Sequence, residues 1–226
     1  MAEGSEIDFD KLIDKYLYRE ARAKVIGKYY PSEVGQCIRK VWFSYKIPKQ
    51  IEPHVTKIFE AGNMLHGFIV DVLKSDKNPE VTLLETELPL KVPMEGFEIS
   101  GRIDDIIRLE HNGEKILVEV KTCKSIDYLR EPSEQYLMQL QLYLHATGIK
   151  RGVVLYIEKN TLRSKHFHVN YDRNMADTVF SRFKALDIAL KNDSLPQAEA
   201  KQSQKNKWMC GFCLYKKECD GIEGKR

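Results

Sequence analysis

The residues able to do chemistry in this 226-residue chain gather in two short strand-like segments and a set of cysteines. In Gly101-Arg102-Ile103-Asp104-Asp105 two carboxylates interrupt an apolar alternation. In Glu119-Val120-Lys121 an acid and a base share one strand face, and Val120 takes the other. His111-Asn112-Gly113-Glu114 lies between them and predicts a tight hairpin turn. Counting equally from that turn sets Asp104 against Lys121 and Asp105 near Val120, to within a residue or two of register. Asp104, Glu119 and Lys121 then share one small patch. Crowded carboxylates repel unless one is protonated or a cation joins them. A hard divalent ion such as magnesium takes oxygen ligands and solves that problem. A lysine beside such an ion orients a water or neutralises charge developing on a phosphate. Taken alone, Glu-x-Lys also suits an exposed hairpin face carrying surface ion pairs.

Three further side chains join this set by position. Gln139 and Tyr143 stand at i and i+4, on one face of the helix expected after the hairpin. His66 lies upstream on a predicted helix that also holds Gly62 and Gly67, small residues that permit close approach. Cys210-Gly-Phe-Cys213 is a Cys-x2-Cys pair followed by Cys219, and Cys37 lies far upstream in Gln36-Cys37-Ile38-Arg39-Lys40. Four thiolates satisfy either tetrahedral zinc or an iron–sulfur cluster, and the spacing by itself favours zinc. Either would tie the N-terminal segment to the tail and close a very long loop. Cys123, two residues after Lys121, has no partner spacing and reads as a bystander.

The elements that must position these groups are visible as changes of period. Phe9, Leu12, Ile13, Tyr16 and Leu17 recur at helical spacing and predict an amphipathic helix packed on the rest of the chain. Pro31-Ser32 predicts the start of a second helix carrying Cys37 and Trp42. A third helix is expected from about Val55 to Lys74, with Ile58, Phe59, Leu65, Phe68, Ile69, Val72 and Leu73 mostly buried. Strand periodicity then runs from Phe97 to Leu109 and again from Ile116 to Lys121. A helix from Ser133 to Ala146 closed by Gly148, strands from Gly152 to Glu158 and on to Val169, and a helix from Asp172 to Lys191 follow. Residues 192–207 read as a polar linker. This order predicts a mixed α/β sheet flanked by helices.

Composition sets the outer limits. A hydrophobic fraction of 42% excludes a largely disordered chain, and 31% charged residues exclude a membrane protein. No apolar segment opens the chain as a signal peptide does, and five cysteines without an export signal argue against a disulfide framework. A cytoplasmic protein with no membrane association is expected. The net charge of +3 neither calls for nor excludes a nucleic-acid partner.

The ordered series His66, Gly101-x-x-Asp104, Glu119-Val120-Lys121, Gln139-x-x-x-Tyr143 resembles the PD-(D/E)XK nuclease superfamily, and within it the RecB-like branch. One distant and three clustered cysteines around such a core resemble the CRISPR-associated RecB-like exonuclease family. The matching segments are Ser32 to Phe43 and Trp208 to Cys219, and the resemblance spans about Tyr29 to Cys219. It implies a restriction-endonuclease-like mixed central sheet in a single domain over 1–226, with a core at about 55–191. It also implies a cluster-binding unit built from 29–50 and 208–220. It implies that His66, Asp104, Glu119 and the Val120 carbonyl bind magnesium or manganese, and that Lys121 positions the attacking water. It implies too that Gln139 and Tyr143 steady the site or touch DNA. It further implies a 4Fe–4S cluster on Cys37, Cys210, Cys213 and Cys219, which moves the expectation from zinc to iron–sulfur. The activity implied is metal-dependent DNA exonuclease action on single-stranded ends, trimming fragments for insertion into a CRISPR array alongside integrase proteins. A stand-alone repair or viral nuclease of the same fold, and a non-cleaving DNA-binding adaptor, are the alternatives.

Overall fold

The structure, a computed structural model, describes residues 7–223. Among these residues seven α-helices and six strands follow one another: α1 (Phe9–Leu17), β1 (Lys28–Tyr29), α2 (Ile38–Lys46), α3 (Pro53–Lys74), β2 (Val81–Met94), β3 (Phe97–Leu109), β4 (Lys115–Cys123), α4 (Glu134–Thr147), β5 (Arg151–Glu158), β6 (Ser164–Asn170), α5 (Arg173–Lys191), α6 (Glu199–Gln202) and α7 (Lys216–Glu223). The mixed sheet flanked by helices is the one the sequence predicts. β3 is its organising strand. Along one edge it pairs antiparallel with β2, and along the other it pairs with β1 at its start and β4 at its end. β4 runs parallel to β5, as the crossover through α4 requires, and β6 closes the sheet antiparallel to β5.

The larger core lies on the sheet face covered by α2, α4 and α5, around Tyr29, Ile99, Leu117, Leu140, Leu144, Val154 and Phe183. A smaller cluster on the opposite face joins Ile69 of α3 to Ile107, Ile116, Val118, Val120 and Ile157. Residues Leu117 and Glu119 therefore face one way and Val118 and Val120 the other, which is the alternation of a strand buried on both faces. α4 begins after Ser133 and ends where Gly148 adopts φ +73°, the left-handed cap expected there.

Five readings of the sequence need correction. The hairpin register is offset by two: Asp105 pairs with Val118, which sets Asp104 opposite Glu119 and not Lys121. The cause is the turn. Gly113 (φ +72°) is its last residue, with the Gly113 amide bonded to Leu109, so the loop is centred one residue earlier than a two-residue Asn-Gly hairpin. Pro31–Glu33 forms only one 3-10 turn, and α2 starts at Ile38 with Cys37 as its cap residue. Arg182 explains the break, because its guanidinium binds the Val34 and Gln36 carbonyls that a continuous helix would use. Of the apolar residues of α3 only Ile69 is fully buried, and Ile58, Phe59, Phe68 and Val72 are exposed, because a single stripe of this helix meets the sheet. α1 forms, but Phe9, Leu12, Ile13 and Tyr16 are all exposed and Leu17 alone is buried. Residues 192–207 are not a free linker: Ala198 and Ala200 are buried, and Glu199 accepts from the Ile38 amide and pairs with Arg182.

β2 is an addition to the predicted elements. Its alternation of Leu88, Leu90 and Val92 with Pro89, Lys91 and Pro93 carries strand period, and two prolines suit an edge strand, which it is. Among the described residues no helix is long and apolar enough to cross a membrane.

Candidate active site and cysteine cluster

The site forms where β4 parts from β3. Regular pairing of the two strands ends at Asp105 and Val118. Beyond that point the Val120 amide donates to Asp104 Oδ2 at 2.8 Å, so a side chain takes over the role of the ladder. Glu119 is 1% exposed and pairs with the Lys121 ammonium, which lies 4.9 Å from the centre of the Tyr136 ring on α4. The ammonium sits on Glu119 Oε1, and Oε2 has no partner. A carboxylate in that position is costly when ionised. Burial, reinforced by repulsion from Asp104 and opposed by Lys121, pushes its pKa up to about 8. Burial likewise raises Asp104, held back by Lys121 and the Val120 N–H. For Lys121 burial works against the ammonium, but Glu119 and Asp104 outweigh it and leave the pKa above the ordinary lysine value.

The two neighbouring aspartates divide between the sheet faces. Asp104 shares its face with Glu119 and Lys121, whereas the fully buried Asp105 lies 3.2 Å from His66 Nε2. A carboxylate accepts, so Nε2 carries the proton of that contact. The contact raises the His66 pKa against the effect of burial. The other ring nitrogen, Nδ1, faces Glu87 Oε1 at 3.3 Å. Single donor atoms of His66, Glu87 and Asp104 all lie within 4.8 Å of one another. Gln139 and Tyr143 sit inside the protein. Gln139 Nε2 donates to the Tyr143 hydroxyl at 3.0 Å, and that hydroxyl donates to the Arg102 carbonyl at 2.8 Å, tying α4 to β3 two residues before Asp104. Burial, with the charge of Glu119, pushes the Tyr143 pKa up.

His66, Asp104, Glu119 and Lys121 thus converge, with Val120 supplying a backbone group between them. Glu87 and Tyr136 are additions that the catalytic spacing does not contain. Glu87 lies on β2, and Tyr136 reads from sequence as an ordinary helix aromatic. His66, Glu87 and Asp104 form a donor set that fits a hard divalent ion, and the unpartnered Oε2 of the buried Glu119 lies beside Asp104.

The sequence profile of the PD-(D/E)XK nuclease superfamily matches residues 17–220. The chain belongs to that superfamily. This nuclease is 28% identical over 194 residues to the CRISPR-associated exonuclease Cas4 of Saccharolobus solfataricus, covering 84% of this chain and 86% of the relative. Its structure is similar to the crystal structure of SSO0001, with a TM-score of 0.64 at 25% identity over 92% of this chain and 94% of that one. LHK-Exo, an alkaline exonuclease of Laribacter hongkongensis solved in complex with dAMP, shares the fold with a TM-score of 0.50 at 15% identity, over 75% of this chain and 90% of that one.

The second constellation of the nuclease lies at the far side of α2. Cys37, Cys210, Cys213 and Cys219 line one small cavity, which Arg39, Lys40, Lys201 and Lys216 surround. None of the four forms a disulfide. Burial raises the Cys210 pKa, and Cys37, Cys213 and Cys219 each add to the rise, so the four sulfurs share one electrostatic environment. Arg39 Nη1 lies 3.5 Å from Cys219 Sγ. The tail that carries three of the cysteines is docked on α2: Phe43 stacks on Tyr215 at 5.6 Å, and Lys49 binds both the Leu214 carbonyl and Glu218. Four thiols ringed by cations suit a group that is anionic once its thiolates are bound, whether tetrahedral zinc or an iron–sulfur cluster. Cys123 is half-buried at the end of β4, its pKa raised by burial.

Proposed function

We propose that this chain is a divalent-metal-dependent DNA exonuclease acting on single-stranded ends, and that it trims DNA fragments for insertion into a CRISPR array alongside integrase proteins. The observation that carries the reading is the buried Glu119 carboxylate beside Asp104, with one oxygen on the Lys121 ammonium and the other without a partner. Asp104, Glu119, His66 and the Val120 carbonyl hold magnesium or manganese. The ion supplies Lewis acidity toward the phosphodiester and lowers the pKa of water at its site. Lys121 orients the attacking water and balances charge on the phosphate as it develops. Tyr136, against the ammonium, fixes where that charge sits. Tyr143, buried and bonded to the Arg102 carbonyl, and Gln139, which donates to the Tyr143 hydroxyl, hold the strand that carries Asp104 and act without touching DNA. Exonuclease action in a CRISPR setting is supported by the likeness to a relative named a CRISPR-associated exonuclease.

We read the four cysteines as ligands of a 4Fe–4S cluster, on the resemblance of their one-distant, three-clustered arrangement to the CRISPR-associated RecB-like family and on the single cavity that all four line. The single domain takes the chain as a whole, with a nuclease core at about 55–191 and a cluster-binding unit from 29–50 and 208–220. Its outermost residues lie outside those described.

Anaerobic purification with metal analysis, followed by digestion of end-labelled single- and double-stranded DNA with and without manganese, tests both halves. About four irons per chain and manganese-dependent shortening from one end are expected. Glu119→Ala abolishes shortening and leaves DNA binding intact. No cleavage by the unaltered protein with any divalent ion would transfer the chain to the class of non-cleaving DNA-binding adaptors.

A further inference from the structure

Glu87 is built into the site at a cost that its ion pairs do not explain. Its φ is +51°, a backbone conformation that a side-chain-bearing residue adopts only when its surroundings demand it. Thr86 pairs with Asp105 and Leu88 with Ile103, which sets Glu87 opposite Asp104, and Asp104 in turn takes the Val120 amide just where β4 parts from β3, next to Glu119. Three adjacent strands therefore bring three carboxylates together, where like charges repel unless a cation joins them. Glu119 is buried there with Oε1 on the Lys121 ammonium and Oε2 without any partner, an observation independent of Glu87 that leaves one carboxylate oxygen open to a further cation. On its outer side Glu87 Oε2 is held at 2.9 Å by Arg102 Nε, whose side chain is 67% exposed.

We propose that Glu87 is a further ligand of the divalent ion and that Arg102 competes with that ion for its carboxylate. The inference rests on the metal-site reading above. In the metal-free protein the guanidinium, which stays charged at any working pH, occupies one Glu87 oxygen. The ion takes the carboxylate and releases Arg102, and the free guanidinium is then available to a backbone phosphate, a pairing it makes well. Metal loading and substrate binding are in this way coupled through one carboxylate.

The test is Mn2+ titrated into the full chain without DNA, with free ion read from its electron paramagnetic resonance signal. Glu87→Gln weakens Mn2+ binding about tenfold, and Arg102→Ala tightens it severalfold. Unchanged affinity in Glu87→Gln, or no tightening in Arg102→Ala, overturns the proposal. Glu119→Gln separates it from the reading beneath: if Glu119→Gln also leaves Mn2+ binding unchanged, the metal site itself is refuted. Loss in Glu119→Gln with no change in Glu87→Gln refutes the role of Glu87 alone. Glu87→Gly guards against a folding artefact, since glycine relieves the positive φ. It is expected to hold or raise the melting temperature of the metal-free protein while weakening Mn2+ binding. A fall in both would make Glu87 a structural brace and overturn the proposal.

Discussion

Glu119 carries the sharpest consequence at the scale of a single residue. Its folded pKa of about 8 stands above the value near 4.5 that a free glutamate shows, so the folded state binds the extra proton between those limits. The stability contributed by the protonated carboxyl is complete below about pH 4.5 and is lost as the pH rises through 8. Metal binding has the opposite sign, because a divalent ion requires the ionised carboxylate. The rise in melting temperature on adding manganese should therefore grow from pH 6 to pH 9. Glu119→Gln should raise the melting temperature of the metal-free protein at pH 8 by several degrees and flatten that dependence. A manganese-induced rise that is the same at both ends of the range would contradict the assignment. Most of this site was legible in sequence, because Asp104, Glu119, Lys121 and His66 are chemically conspicuous and their order is informative. Spacing alone does not separate Asp105 from Asp104, because adjacent carboxylates on a strand differ only in the face they take. That face depends on where β4 leaves β3 and on what α3 presents to it.

At the scale of elements, periodicity located the long helices and central strands but did not say what covers them. α1 and α3 illustrate the limit. Phe9, Leu12, Ile13 and Tyr16 have the spacing of a buried stripe, yet they face solvent, and α1 is held chiefly by Leu17 and by Lys57 bridging Asp10 and Asp14. An apolar stripe shows that a face is available for burial and not that the same chain buries it. The two kinds of position respond differently to substitution. Leu12→Ser should change stability by less than about 0.5 kcal/mol. Leu140→Ala, at a fully buried residue of α4 against Gly152, should cost about 2–5 kcal/mol. Chemical denaturation of both variants measures the contrast, and comparable losses would mean that α1 packs as a core helix. β2 escaped the sequence reading because its prolines and paired glutamates look like loop chemistry. Only the pairing with β3 reveals that the same features belong to an edge strand opposite Asp104.

The whole molecule joins its beginning to its end around the nuclease core. The cysteines advertised that closure in sequence, but the contacts that make it were silent there. Arg182 bonding Glu199 and the Val34 and Gln36 carbonyls, or Phe43 stacking on Tyr215, follow from no local pattern. Cys213→Ala should lose the bound iron and lower the melting temperature by several degrees, and unchanged iron content with unchanged melting would exclude the cluster. The positions of Cys37 near one terminus and Cys219 near the other also govern how the protein bears mechanical load. With the proposed cluster bound, a pull applied outside Cys37 and Cys219 loads only the segments beyond the clasp, of which β1 is the one piece of the sheet. Strands β2 to β6, which hold Asp104 and Glu119, then bear no direct tension until the clasp breaks. In a single-molecule pulling record, the loaded protein should give a short first extension and a long second one, and chelation or oxidation should merge them into one.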